Sequence, residues 1–175
     1  MAEITKEIWL KLGLKLLDQE GLGALKIGRL CQELAVTKGS FYHWFGSKLD
    51  FDMAVLHFWR EIFTEEFIQN AEIGVSSQEK LKRLIINCID SLKIESRLEI
   101  EINIWAHQEP LIGSFVKEVY TKRFTYLIEL LEDIYSNKIE AKRHALILYS
   151  LIIGVELFYQ KLTRKELEAV FLDYL

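Results

Sequence analysis

One proline and two cysteines are all that 175 residues hold of either type, and glycine stops at nine. A chain so poor in helix breakers, with half its residues hydrophobic, reads as helix-rich and globular, not disordered. Cys31 and Cys88 stand far apart without metal-ligand spacing, so neither a disulfide scaffold nor a zinc site is suggested. No apolar run approaches the roughly 18 residues that suggest a membrane span. Residues 1–7 lack the basic-then-apolar layout of a secretory signal, so a reducing cytoplasm is the expected compartment. Signs of catalysis are missing too: there is no phosphate-cradling glycine loop, no nucleophile elbow and no strand-borne serine. Glu140 and His144, at i and i+4, read as a helical salt bridge and not as half of a metal site. The expectation is a protein without enzymatic activity, cofactor or metal.

What the sequence does have is concentrated in residues 27–50. Ile27, Leu30, Cys31 and Leu34 recur at i, i+3, i+4 and i+7 and give a short helix one apolar stripe. Val36 plugs a tight turn, and Thr37 is placed to cap the next helix by accepting its free N–H groups. In that helix Phe41, Trp44 and Phe45 point inward, while Lys38, Gly39, Tyr42 and His43 share the other side. A short helix that presents a cation, a bare backbone, a phenol and an imidazole can enter a DNA major groove. Ser47 and Asp50 then approximate a capping box for the following helix. Lys48 sits at its start, where free N–H groups and the helix dipole already favour a phosphate.

The net charge of −4 opposes nucleic-acid binding only until it is resolved by region. Residues 26–48 carry Lys26, Arg29, Lys38 and Lys48 against Glu33 alone, a local +3. Attraction to phosphate is local, being screened within about 10 Å at ordinary salt. An acidic body with a basic head is compatible with specific DNA binding and discourages indiscriminate binding.

Thr37-Lys38-Gly39-Ser40-Phe41-Tyr42-His43-Trp44-Phe45-Gly46-Ser47-Lys48 resembles the recognition-helix signature of TetR-type (tetracycline-repressor-like) transcriptional regulators. Trp9-Leu10, Leu16-Leu17 and Gly21 resemble that family's first helix and its terminating glycine. The resemblance covers roughly the first third of the chain. A weaker echo, residues 104–110, resembles the middle of the regulatory domain in one subset of the family. The candidate DNA contacts are Lys38, Gly39, Ser40, Tyr42 and His43 in the third helix, Arg29 and Thr37 beside it, and Lys48; the resemblance implies that Thr37, Tyr42 and Lys48 grip the DNA backbone and that Lys38, Gly39 and His43 lie nearer base edges. Two positions depart from the pattern. Ala35 replaces the glycine usual in the turn, where a left-handed backbone would cost about 1 kcal/mol. Lys26 stands where a capping Ser or Thr is common.

Along the chain the periodicity predicts an all-α fold of about nine helices. They fall at about residues 5–20, 27–34, 38–44, 47–70, 76–93, 96–108, 110–135, 140–162 and 163–175. Gly13 faces inward in the first and permits close helix approach. The expected organisation is a helix-turn-helix domain at 1–46 and a ligand-binding and dimerisation domain at 47–175. From Ala145 to Tyr159 only Ser150 and Glu156 are clearly polar, so this helix needs cover on two sides. It is either the buried centre of a monomer or, as the resemblance implies, part of a four-helix bundle with a second copy. Candidates for that contact are Leu151, Gly154, Val155, Phe158, Val170, Phe171 and Tyr174. An aromatic-lined pocket for a small hydrophobic or aromatic effector would draw on Asn103, Trp105, His107, Tyr120, Phe124, Tyr149 and Glu156. Each of these can equally be ordinary core or surface.

The reading that results is a homodimeric, ligand-responsive DNA-binding repressor that recognises a palindromic operator in double-stranded DNA, with no membrane partner. The alternative is an all-helical carrier or interaction module that binds a hydrophobic ligand or partner helix and no DNA.

Overall fold

The computed structural model describes residues 4–92, 97–157 and 162–172. Ten α-helical segments and no strand occur among them: α1 (Lys6–Glu20), α2 (Ile27–Glu33), α3 (Lys38–Trp44), α4 (Lys48–Arg60), α5 (Glu66–Glu72), α6 (Ser77–Ser91), α7 (Leu98–Gln108), α8 (Pro110–Ile134), α9 (Lys138–Leu157) and α10 (Arg164–Leu172). A π-turn, Glu61–Glu65, joins α4 to α5, so these segments make the nine helices the sequence predicts.

Several helix ends fall where local chemistry puts them. Ser47 Oγ accepts from the Asp50 N–H at 3.1 Å and opens α4; Ser76 Oγ accepts from Glu79 at 3.2 Å and opens α6. Thr163 and Glu166 complete a reciprocal capping box, with Glu166 N–H donating at 3.3 Å and Thr163 N–H at 2.7 Å. Pro110 is the first residue of α8, where its missing N–H removes no helical bond.

The chain divides into two compact units, residues 1–61 with 97–116 and residues 62–96 with 117–175. The first contains α1 to α4, α7 and the start of α8. Its centre is aromatic: Trp9, Phe41, Phe45 and Phe51 are buried, with centroid separations of 5.0 to 6.4 Å among the contacting rings. Edge-on and tilted rings at that spacing add to the stabilisation from buried area alone. Gly13 is inward as expected; a Cβ there would lie 2.8 Å from Val55 Cγ2 and 2.9 Å from Phe51, so only hydrogen lets α1 approach α4.

Gly21 ends α1 with φ 79°, a backbone that favours glycine. Its missing Cβ also leaves room for the carboxylate of Glu101 in α7, which would lie 2.9 Å away. Glu101 is buried, accepts from the Leu22 N–H at 3.2 Å and pairs with Arg97 at 2.7 Å. A buried carboxylate is tolerated because both partners satisfy it, and it fixes the turn that delivers the chain into α2.

The second unit has an aliphatic core. Leu81, Ile85 and Ile89 of α6 meet Leu127, Leu130 and Leu131 of α8, Ala141, Ala145, Leu148 and Val155 of α9, and Leu167 and Phe171 of α10. Arg123 Nε donates to the buried Thr64 hydroxyl at 2.7 Å, and Tyr126 OH donates to Glu72 at 2.6 Å. His144 stacks flat on Tyr135 at 4.3 Å.

Candidate nucleic-acid interface

The turn between α2 and α3 shows how the chain presents its third helix. Val36 N–H bonds to Cys31 C=O at 3.0 Å and Ala35 N–H to Gln32 C=O at 3.2 Å, the paired bonds of a Schellman motif. That motif needs a left-handed residue at its second-last position. Ala35 supplies it with φ 52°, the only non-glycine residue with positive φ among those described. The strain foreseen in the sequence is therefore present, at about 1 kcal/mol relative to glycine.

Thr37 follows in extended conformation at the N-cap of α3, but its hydroxyl makes no capping bond. This corrects the expectation that Thr37 caps the helix with its side chain; its backbone carbonyl accepts from the Ser40 N–H at 3.1 Å instead. Lys26 likewise begins α2 with no side-chain cap. Phe41 and Phe45 are buried as expected. Trp44, also expected inward, is only half-buried, and its ring meets His43 edge-on at 5.1 Å.

The outward side of α3 matches the sequence reading. Lys38, Gly39, Tyr42 and His43 are exposed, Tyr42 to 53%, and Ser40 is half-buried. The Tyr42 ring meets Phe41 edge-on at 5.4 Å and leaves the rest of the phenol open to solvent, which makes its position a functional signal. Thr37 is exposed beside them.

Arg29 and Lys48 are placed differently from Lys38. The Arg29 guanidinium grips Glu20 at the end of α1 with two nitrogens, Nη2 to Oε1 at 2.8 Å and Nε to Oε2 at 3.4 Å, and it also pairs with Glu33. Hydrogen bonding to Glu20 and then to Glu33 raises its pKa further above an already high value. Lys48 pairs with Asp52 one turn along α4, its ammonium 5.7 Å from the centre of the Phe51 ring. Burial pushes the Asp52 carboxyl up from its ordinary range against the pull of Lys48, and Glu109 raises it further. The sequence reading missed these carboxylate partners. Two of the pairs, Arg29–Glu33 and Lys48–Asp52, have the i,i+4 spacing that could have revealed them; Glu20 lies nine residues from Arg29 and carries no such signal.

The effector candidates fall in different parts of the molecule. Asn103, Trp105 and His107 lie on α7 in the first unit, and Tyr120, Phe124, Tyr149 and Glu156 lie in the second. Trp105 is fully buried. Asn103 Nδ2 donates to the Glu99 carbonyl at 2.8 Å, and His107 Nδ1 lies 2.7 Å from the Asn103 carbonyl, so both fold back onto their helix. Phe124 and Tyr149 meet at 5.6 Å. A cleft of about 240 Å³ in the second unit involves none of the seven; Gln78, Leu81, Lys82, Leu131, Ile134, Tyr135 and Leu172 line it.

On α9 one side is core and the opposite side is bare. Val155 and Phe171 are buried against the chain's own α6 and α8, and Leu151 packs on the same core. The bare side carries Leu146, Ile147, Ile153 and Leu157, with open space above Gly154; Val170 of α10 is exposed at 42%. Phe158 and Tyr174 lie outside the described residues. Among the described residues no helix is long and apolar enough to cross a membrane, and no three His, Cys, Asp or Glu side chains cluster to hold a metal.

Residues 10–51 match the family model described as bacterial regulatory proteins, tetR family. None of the curated proteins matches the sequence. The fold is similar to that of a protein from Saccharomonospora viridis solved in complex with choline, at TM-score 0.78 and 16% identity over 95% of this chain and 92% of that one. It is similar to a TetR transcriptional regulator from Legionella pneumophila, at TM-score 0.75 and 18% identity over 99% and 94% of the two chains. It is also similar to E. coli NemR in its reduced form, at TM-score 0.72 and 20% identity over 86% and 85%.

Proposed function

We propose that this chain, which belongs through its residues 10–51 to the tetR family of bacterial regulatory proteins, is a homodimeric, ligand-responsive repressor of a palindromic operator. The observation that carries the proposal is the exposed row on α3. Lys38, Gly39, Tyr42 and His43 face solvent from a helix whose other side is locked into an aromatic core. Such a helix can lie in a major groove with its polar side on base edges and phosphates. Thr37, Ser40, Arg29 and Lys48 border it, and Lys48 starts α4, where the helix dipole adds to its attraction for phosphate.

Pairing of two copies is supported by α9. Leu146, Ile153 and Leu157 recur at i, i+7 and i+11 beside Ile147 and Gly154, and this side lies opposite the core. Apolar surface of that extent on a helix, broken only by the exposed Ser150, is covered by a partner in a stable assembly. The pairing surface comprises these residues with Val170; Val155 and Phe171 support it from beneath. Two copies related by a two-fold axis place two recognition helices on the two halves of a palindrome. The effector is a small hydrophobic or aromatic molecule held among side chains such as Phe124 and Tyr149, which meet at 5.6 Å; the Saccharomonospora viridis protein of similar fold, solved in complex with choline, supports a small organic ligand. By binding one arrangement of the dimer better than another, it shifts the population away from the DNA-competent state.

The test is Lys38→Ala combined with Tyr42→Ala, assayed on the DNA upstream of the protein's own gene. Binding is expected to vanish while far-ultraviolet circular dichroism stays unchanged. Affinity equal to that of the wild type would remove α3 from the interface and favour a helical carrier.

A further inference from the structure

The cations of the DNA-facing surface divide into two kinds. Lys26 and Lys38 make no ion pair among the described residues, whereas Arg29 and Lys48 are already bound to carboxylates. Arg29 offers Glu20 a two-point grip and reaches Glu33 as well, and these are the charge-assisted, directional bonds that a phosphate would otherwise receive. Lys48 is engaged by Asp52 through a single charge-assisted bond. A duplex that approaches in an arbitrary register meets this surface with half of its cations neutralised.

We propose that Glu20, Glu33 and Asp52 are specificity determinants, which keep Arg29 and Lys48 from contributing to sequence-independent attraction. The inference rests on the DNA-binding reading above. Exchange of carboxylate for phosphate replaces one charge-assisted bond by another and gains little by itself. It proceeds where contacts from α3 have already placed a phosphate beside the guanidinium or the ammonium. At an arbitrary site those contacts are absent, the pairs stay closed, and affinity stays low. The carboxylates thus act by competition, and they touch no base.

The test compares wild type, Glu20→Gln with Glu33→Gln, and Asp52→Asn on two duplexes, the upstream DNA and a scrambled sequence of equal length, titrated with salt. Each phosphate newly contacted steepens the slope of log affinity against log salt by about 0.9, or a roughly 3- to 4-fold greater fall between 50 and 200 mM. One such increment is expected on the scrambled duplex for each variant, together with a lower ratio of upstream to scrambled affinity. Adding Arg29→Gln to the Glu20→Gln, Glu33→Gln protein should abolish its gain. Slopes equal to the wild type, or a gain that survives Arg29→Gln, overturn the proposal. Should the double variant melt below the assay temperature, Asp52→Asn decides the matter by the same slope. A wild type that retains no duplex at any salt overturns the DNA-binding reading itself; a wild type that binds, with unaltered variant slopes, overturns this inference alone.

Discussion

The helix-turn-helix and the second unit begin their helices by different means. In the former, α2 starts at Lys26 and α3 at Thr37 with no side-chain cap, and the turn between them holds an alanine at φ 52°. In the latter, α6 starts on the Ser76 hydroxyl and α10 on the reciprocal Thr163–Glu166 box. Each choice in the head is locally unfavourable by a fraction of a kcal/mol to about 1 kcal/mol. What holds it is the cluster of Trp9, Phe41, Phe45 and Phe51 beneath α3. The head is thus shaped from below by packing, which leaves its outward positions exposed, while the body is shaped largely by its own caps and stripes.

The largest effect that tests this contrast is Phe41→Ala. It removes a fully buried ring that touches Trp9, Phe45 and Phe51 and is expected to cost about 3 to 5 kcal/mol, read from chemical denaturation. Next come paired cap deletions. Ser76→Ala should cost about 1 kcal/mol, whereas Thr37→Ala should leave the denaturation midpoint nearly unmoved, because its hydroxyl caps nothing, and should weaken DNA binding instead. Equal losses of stability would erase the distinction between the two regions. Ala35→Gly works in the opposite direction and should stabilise the head by about 1 kcal/mol, since glycine adopts the left-handed turn without strain.

The smallest effect is a difference of sign with pH. The Asp52 carboxyl is pushed up by burial, so its contribution to stability is present at low pH and is lost as pH rises through the raised value. Glu72, held low by Lys80 and by the Tyr126 hydroxyl, contributes above the ordinary carboxylate range and loses that contribution as pH falls through its lowered value. Denaturation midpoints followed from neutral to acid pH should therefore lose a gain in Asp52→Asn and lose a decline in Glu72→Gln. The same sign in both variants would contradict the assigned surroundings.

Much of the fold was legible because its signals are local. Ser47, Ser76, Thr163, Gly21 and Pro110 marked helix ends that the structure keeps within a few residues. The outward row of α3 was legible for the same reason: four neighbouring residues define it without reference to the rest of the chain. Long-range features were not. Glu101 reaches the Leu22 N–H across 79 residues of sequence, and no spacing rule announces that. Nor does composition announce the extra residue that winds Glu61–Glu65 into a π-turn, since its side chains suit an α-helix equally well. On α9 the apolar residues run nearly all round, so periodicity could not tell which of them face α6 and α8. Val155 on α9 and Phe171 on α10 are among the candidates for a partner contact, and the structure buries both in this chain. Similarly, the grip of Arg29 on Glu20 depends on how α1 and α2 pack, so the local charge balance of residues 26–48 carries no sign of it.

The most direct measurement is selection of bound fragments from random double-stranded DNA by the purified protein. The account predicts enrichment of a palindrome whose half-sites are centred about one helical turn, or a whole number of turns, apart. Enrichment of a single unrepeated element, or of nothing above background, would contradict it.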